Sequence, residues 1–280
     1  MNAPACRFEG GFHETPLVLF TTLVITGAGL PAGHFAAWAL GLAAFTPNRW
    51  PAAVATILLV GGLLLSLLHL GRPARLVYAL RRAGRSPLST EVILALMTIV
   101  PAAAAQLLPF QQTVNTLLCG LVAVSSPGLL LALGWVYRLP GQPSWKGAVA
   151  LSPLLLGLAT GFLAQAASAA PNARFMLAAL IILAADAAGF AMRWMVMKCD
   201  SALGQPVHPA LFSARRRILI LRLVDVTLLP AFFMLAQAPT VALFVLAFGI
   251  FFDRFAFYAL AVRESTEAEI AHVEHFLRSK

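Results

Sequence analysis

The chain has 280 residues, 60% of them hydrophobic and only 11% charged, with a mean hydropathy of +0.84. A water-soluble globular domain carries about 25% charged residues, so this composition excludes one with an ordinary solvated surface. In a soluble protein the net charge of +9 would point to nucleic acid; here the charge is confined to short segments between apolar runs, and no nucleic-acid partner is expected.

The apolar runs are roughly 17–30 residues long, and a helix needs about 20 residues to cross a hydrocarbon core of about 30 Å. In chain order they predict helices at about 16–45, 51–68, 92–108, 114–136, 148–170, 175–197, 218–236 and 241–262. The expected fold is all-α: an integral membrane protein of eight transmembrane helices in a single membrane domain, residues 1–280, arranged as two four-helix bundles. The first run follows Arg7, Glu9 and Glu14 and exceeds the apolar core of a signal peptide, so it reads as a retained helix. The connections are short, the longest running from Lys198 to Arg217, which leaves extensive soluble chemistry to another chain.

Short loops rich in Lys and Arg stay in the cytoplasm. The N-terminus, the second, fourth and sixth connections and the C-terminus carry 15 of the 20 Lys and Arg residues, whereas the opposite side carries only Arg49 and Arg174. Both termini are therefore expected in the cytoplasm, with the chain in a bacterial cytoplasmic membrane. The basic face suits anionic lipid headgroups. Its density of Arg in the second and sixth loops also suits a protein partner, because Arg grips carboxylates in a fixed geometry.

Six ionisable residues lie within the later helices: Asp186 and Arg193 in the sixth, Arg222 and Asp225 in the seventh, Asp253 and Arg254 in the eighth. Charges in hydrocarbon are costly, so they must face one another or water. Asp186 to Arg193 is a seven-residue step and Arg222 to Asp225 a three-residue step, each along one helix face. Two readings follow: salt bridges that tie helices together, or a polar pocket or proton relay opening to the cytoplasm, with Tyr258 nearby. In the outer half only His34 is titratable, beside Gln106, Gln165 and Gln237, which argues against a proton pump and for proton exchange with the cytoplasm.

No redox metal site is expected. Cys6, Cys119 and Cys199 have no spacing for an iron–sulfur cluster. A haem needs two His at one depth on neighbouring helices, but His34 lies deep in an outward-running helix while His69 ends an inward-running one.

The densest motif is Ser66-Leu-Leu-His69-Leu-Gly71-Arg72-Pro73-Ala-Arg75, continuing through Tyr78, Arg81 and Arg82 to Ser86-Pro-Leu-Ser89-Thr90-Glu91. Gly71 and Pro73 stop the second helix. Ser89 or Thr90 is expected to cap the third, with Glu91 in its first turn. What capping leaves unexplained is a His and a Glu together at the cytoplasmic water–lipid boundary of adjacent helices. A quinol reaches such a place through lipid and must surrender two protons as two electrons leave. An imidazole and a carboxylate can take them.

The stretch H-L-G-x-P-x-R followed by S-x-L-S-x-E resembles the membrane-anchor subunit of dimethyl sulfoxide reductase, within the wider group of polysulfide-reductase-type, quinone-linked anchors. His13-Glu-Thr-Pro-Leu17 with Phe20 resembles that family's opening, and Arg254 with Phe257-Tyr258 its closing motif. One departure is Ile250, four residues before Arg254, where the family pattern has a Glu; Asp253 is the candidate substitute. The resemblance implies a quinone (ubiquinone or menaquinone) at His69 and Glu91, and no haem or iron–sulfur cluster in this chain. It implies two partners: a cytoplasmic iron–sulfur subunit with four ferredoxin-like clusters, docked by Arg72, Arg75, Arg81 and Arg82, and a molybdopterin catalytic subunit. Such anchors serve reductases, as for dimethyl sulfoxide, and dehydrogenases, as for sulfite. The alternative is a multi-helix transporter or ion-coupled exporter, which would show broken helices at matching positions in its two halves. Gly27-Ala28-Gly29 with Pro31 is a candidate break; the fifth helix offers only Gly157 and Gly161.

Overall fold

A computed structural model describes residues 15–44, 49–70, 87–108, 111–136, 150–168, 172–199, 216–217 and 220–259. Helices account for nearly all of them: α1 Thr15–Ala39, α2 Arg49–Leu70, α3 Pro87–Leu107, α4 Gln112–Val136, α5 Ser152–Ser168 and α6 Ala173–Cys199. A π-helical segment, Leu223–Leu228, then runs into α7, Leu229–Leu235, and α8 is Pro239–Ala259. No strand occurs among the described residues. Among the described residues, five helices are long and apolar enough to cross a membrane: α1, α3, α4, the Ala173–Met192 stretch of α6 and the Pro239–Tyr258 stretch of α8. The apolar stretches Ala52–Leu67 of α2 and Ser152–Ser168 of α5 are shorter.

The third helix starts earlier than hydropathy suggests. Pro87 is its first residue, a position that suits a fixed φ and a missing N–H. Ser89 and Thr90 are therefore not its caps, and Glu91 lies beyond its first turn. The first helix stops at Ala39, before the expected 45, where Leu42 N–H reaches back to Ala37 O at 2.8 Å. Four buried helical hydroxyls are satisfied locally: Thr22, Thr98, Ser126 and Thr160 each donate to the carbonyl four residues earlier, at 2.6–2.8 Å.

Contacts close two rings. One passes from α1 through α2, α3 and α4 back to α1; the other passes from α5 through α6, the π segment with α7, and α8 back to α5. The rings meet where α1 packs on α5, flanked by α1 against α8 and α4 against α5. The α1–α5 contact is made by bare backbone. A Cβ placed on Gly29 would lie 2.5 Å from Gly157 O, and one on Gly33 would lie 2.5 Å from Gly161 Cα. Small residues four apart let membrane helices approach this closely. Because Gly29 meets Gly157 and Gly33 meets Gly161, the two helices run parallel. α1 continues unbroken through Gly27, Gly29 and Pro31, so these residues do not form the helix break expected of a transporter.

The same glycines reveal a repeat. Gly157 follows Gly29 by 128 residues (157 − 29), and Gly161 follows Gly33 by the same interval (161 − 33). That interval carries Ala39, Leu70 and Leu107, the ends of α1, α2 and α3, to positions 167, 198 and 235. These lie within a residue of Ser168, Cys199 and Leu235, the ends of α5, α6 and α7. The elements of ring two thus follow one another in the same order and direction along the chain as those of ring one.

Candidate functional site

Charge gathers inside ring two. Asp186 of α6, Arg222 just before the π segment, and Asp253 and Arg254 of α8 are all buried. Arg222 is the hub. Its Nη2 donates to Asp186 Oδ2 at 2.7 Å and to Ser152 Oγ of α5 at 3.3 Å, while its Nε donates to Asp253 Oδ1. The Phe190 ring of α6 lies against its flat face, 3.9 Å from Cζ to the centroid. Arg254 Nε and Nη2 both donate to the other Asp253 oxygen, the former at 2.8 Å. Two acids and two bases make the cluster neutral, and each carboxylate is held by a guanidinium. Arg222, Asp186, Ser152 and Asp253 come from four successive elements of the ring, so the arrangement fits the reading of interhelical ties.

The remaining ring-two candidates separate. Asp225 is half-buried and in no ion pair among the described residues. It does not share a helix face with Arg222, because residues 223–228 wind as a π-helix with more residues in each turn than the α-helix its spacing assumed. Its backbone instead meets Gly249 of α8, where an added Cβ would stand 2.6 Å from Asp225 O. Tyr258 packs with Phe257 and Val18, joining the end of α8 to the start of α1. The side chain of Arg193 lies outside the described residues.

In ring one, α2 packs on α3. His69 is the penultimate residue of α2, and Glu91 is the fifth of α3. The side chain of His69 lies outside the described residues, as do Arg72, Arg75, Arg81 and Arg82. Glu91 is 5% exposed and takes part in no salt bridge among the described residues. Two turns further along α3, Thr98 is buried and hydrogen-bonds Ser125 of α4 at 2.9 Å. Ring one is thus tied by hydroxyls where ring two is tied by ions. At the far end of α1, Gln165 Nε2 of α5 donates to His34 Nδ1 at 2.8 Å, which leaves the ring proton on Nε2 when His34 is neutral.

Sequence reasoning missed Ser152, Phe190, Gly249 and the Thr98–Ser125 pair. Ser152 and Thr98 carry no charge to mark them. Gly249 had a signal: it stands four residues before Asp253, on the same face of α8.

The family described as DMSO reductase anchor subunit (DmsC) matches residues 8–185. The match spans the opening motif, the His69–Glu91 motif and helices α1 to α5, and it stops just before Asp186. No curated protein and no solved structure matches the chain. The expected likeness at both the opening and the second loop therefore lies inside the match, while the Arg254–Tyr258 motif lies outside it. With more than half of its length matched, the chain belongs to the family of DMSO reductase membrane-anchor subunits.

Proposed function

We propose that the chain is the quinone-reactive anchor of a three-subunit molybdenum oxidoreductase, passing electrons between the quinone pool and a cytoplasmic iron–sulfur subunit. It would cross the membrane eight times, as two four-helix bundles with both termini in the cytoplasm. Membership of the anchor family supports this reading. The observation that carries it is Glu91: a carboxyl group 5% exposed, without a salt bridge among the described residues, on the helix next to the one that His69 ends. Such a carboxyl fits a quinol hydroxyl, because its hydrogen-bonding and proton-accepting capacity is not spent on a neighbouring cation.

Oxidation of a quinol to the quinone releases two electrons and two protons; the electrons leave to the iron–sulfur partner. In this chain Glu91 would accept a hydroxyl proton and His69 would orient the headgroup or take the second proton. Both lie at the end of the helices beside the Arg-rich second connection, so the protons would leave on that side. Reduction of the quinone is the same exchange run backwards. Arg72, Arg75, Arg81 and Arg82 would hold the iron–sulfur subunit within electron-transfer reach, and a molybdopterin subunit would complete the path.

The test uses the intact complex in membranes. His69→Ala should abolish inhibition by a quinone-site inhibitor together with quinol-driven turnover, while the complex stays assembled. Full turnover with retained inhibitor binding would reject the assignment.

A further inference from the structure

Arg222 is enclosed on every side but one. A guanidinium has five N–H donors. The one on Nε goes to Asp253 and those on Nη2 to Asp186 and Ser152, while Phe190 covers a face. Nη1 is buried and has no hydrogen-bond partner. An unmet donor on a charged group at this depth is rare, because nothing in the surrounding apolar packing compensates for the water it has given up.

A second unmet group lies one turn along. Thr227 Oγ1 is buried without a partner. Thr22, Thr98 and Thr160, in regular α-helix, each donate to the carbonyl four residues earlier. Thr227 sits inside the π segment, where the ladder skips to the carbonyl five residues back, as in Leu229 N–H to Val224 O. In a ladder of five-residue steps, Thr227 stands one repeat beyond Arg222 on the same side of the segment. The segment is held there by Gly249, whose missing side chain lets the Asp225 backbone bulge against α8.

We propose that Arg222 Nη1 and Thr227 Oγ1 bind one buried water molecule, in the turn opened by the π segment. The water accepts from Nη1 and donates to, or accepts from, the threonine hydroxyl; its remaining valence reaches a backbone carbonyl freed by the widened turn. This completes the partners of Arg222 and makes the water a fixed part of the ion-pair cluster.

The experiment is a cryo-electron-microscopy map of the assembled complex sharp enough to resolve ordered waters, recorded without and with an added short-chain quinone. The expected result is a single oxygen-sized density within about 3 Å of both Nη1 and Thr227 Oγ1 in both maps. Thr227→Val, which keeps the shape and removes the hydroxyl, should weaken or remove that density while Arg222 still holds Asp186 and Asp253. An empty site in the wild-type map overturns the proposal. So does a headgroup-sized density that appears only with the quinone, or a water density unchanged in Thr227→Val.

Discussion

Arg222 of ring two donates to Asp186 of α6 at 2.7 Å, with both side chains almost wholly shielded from the surroundings. The contact makes a neutral four-membered cluster with Asp253 and Arg254. Arg222→Met leaves one uncompensated negative charge in that cluster and should destabilise the fold by about 3–5 kcal/mol, the cost of breaking a buried pair from one side. Arg222→Met with Asp186→Asn restores neutrality and should recover at least about 1 kcal/mol of the loss. Denaturation of the purified chain in detergent micelles checks this. If the double variant is no more stable than the single one, the cluster is not held by charge balance.

Glu91→Gln keeps the size of the buried side chain and one carbonyl acceptor, turns the other oxygen into a donor NH2 and removes its capacity to take a proton. If Glu91 serves quinol oxidation, turnover should fall by about 100-fold or more, in line with the loss of a positioned general base. Thermal stability should change little, since Glu91 ties no cation among the described residues. Steady-state turnover with a quinol donor, beside a melting curve of the same preparation, separates the two effects. A stable variant with wild-type turnover removes Glu91 from the chemistry.

Arg72, Arg75, Arg81 and Arg82 crowd one short connection. If they grip an acidic face of the iron–sulfur subunit, replacing all four by Ser should release that subunit and its catalytic companion from the membrane. Intermediate variants should lose it at lower salt than wild type, because exposed ion pairs weaken as ionic strength rises. Co-purification through a tag on this chain, across a salt series, measures both. Undiminished recovery of the partners with the quadruple variant would show that docking lies elsewhere.

Each helix among the described residues overlaps an apolar run of the sequence, because a run of this length has few alternatives, although the end of the first and the start of the third differ from hydropathy. Which helix faces which was less legible. Arg222 finds its partners 36 and 31 residues away, on α6 and α8, rather than three residues along its own helix at Asp225. Spacing rules assume an α-helix, and the π segment breaks that assumption where the charges lie. Gly27, Gly29 and Pro31 read in the sequence as a candidate helix break, yet Gly29, together with Gly33, Gly157 and Gly161, makes a contact between two unbroken helices. A glycine reads the same in both cases until its neighbour across the interface is known. His69 and Glu91 stand out together in the sequence because both border one short connection. Chemistry at that connection depends on side chains that sequence can name but not orient.

The glycine contact yields a comparison that helix propensity alone would order wrongly. Ala is preferred to Gly inside a helix by about 1 kcal/mol, so propensity favours Gly→Ala at Gly29, Gly33 and Gly61 alike. Packing divides them. At Gly61 an added Cβ finds only Leu23 Cδ1, at 3.6 Å, and Gly61→Ala should be neutral or stabilising. At Gly29 it meets Gly157 O at 2.5 Å and Cα at 2.8 Å, and at Gly33 it meets Gly161 Cα at 2.5 Å. These are backbone atoms, which no rotamer change can move aside. Gly29→Ala and Gly33→Ala should each cost about 1–3 kcal/mol, the range for overpacking a tight contact. The two rings would have to separate along α1 and α5, so the loss should appear as earlier unfolding in detergent. Equal stability of all three variants would mean that α1 and α5 do not meet backbone to backbone.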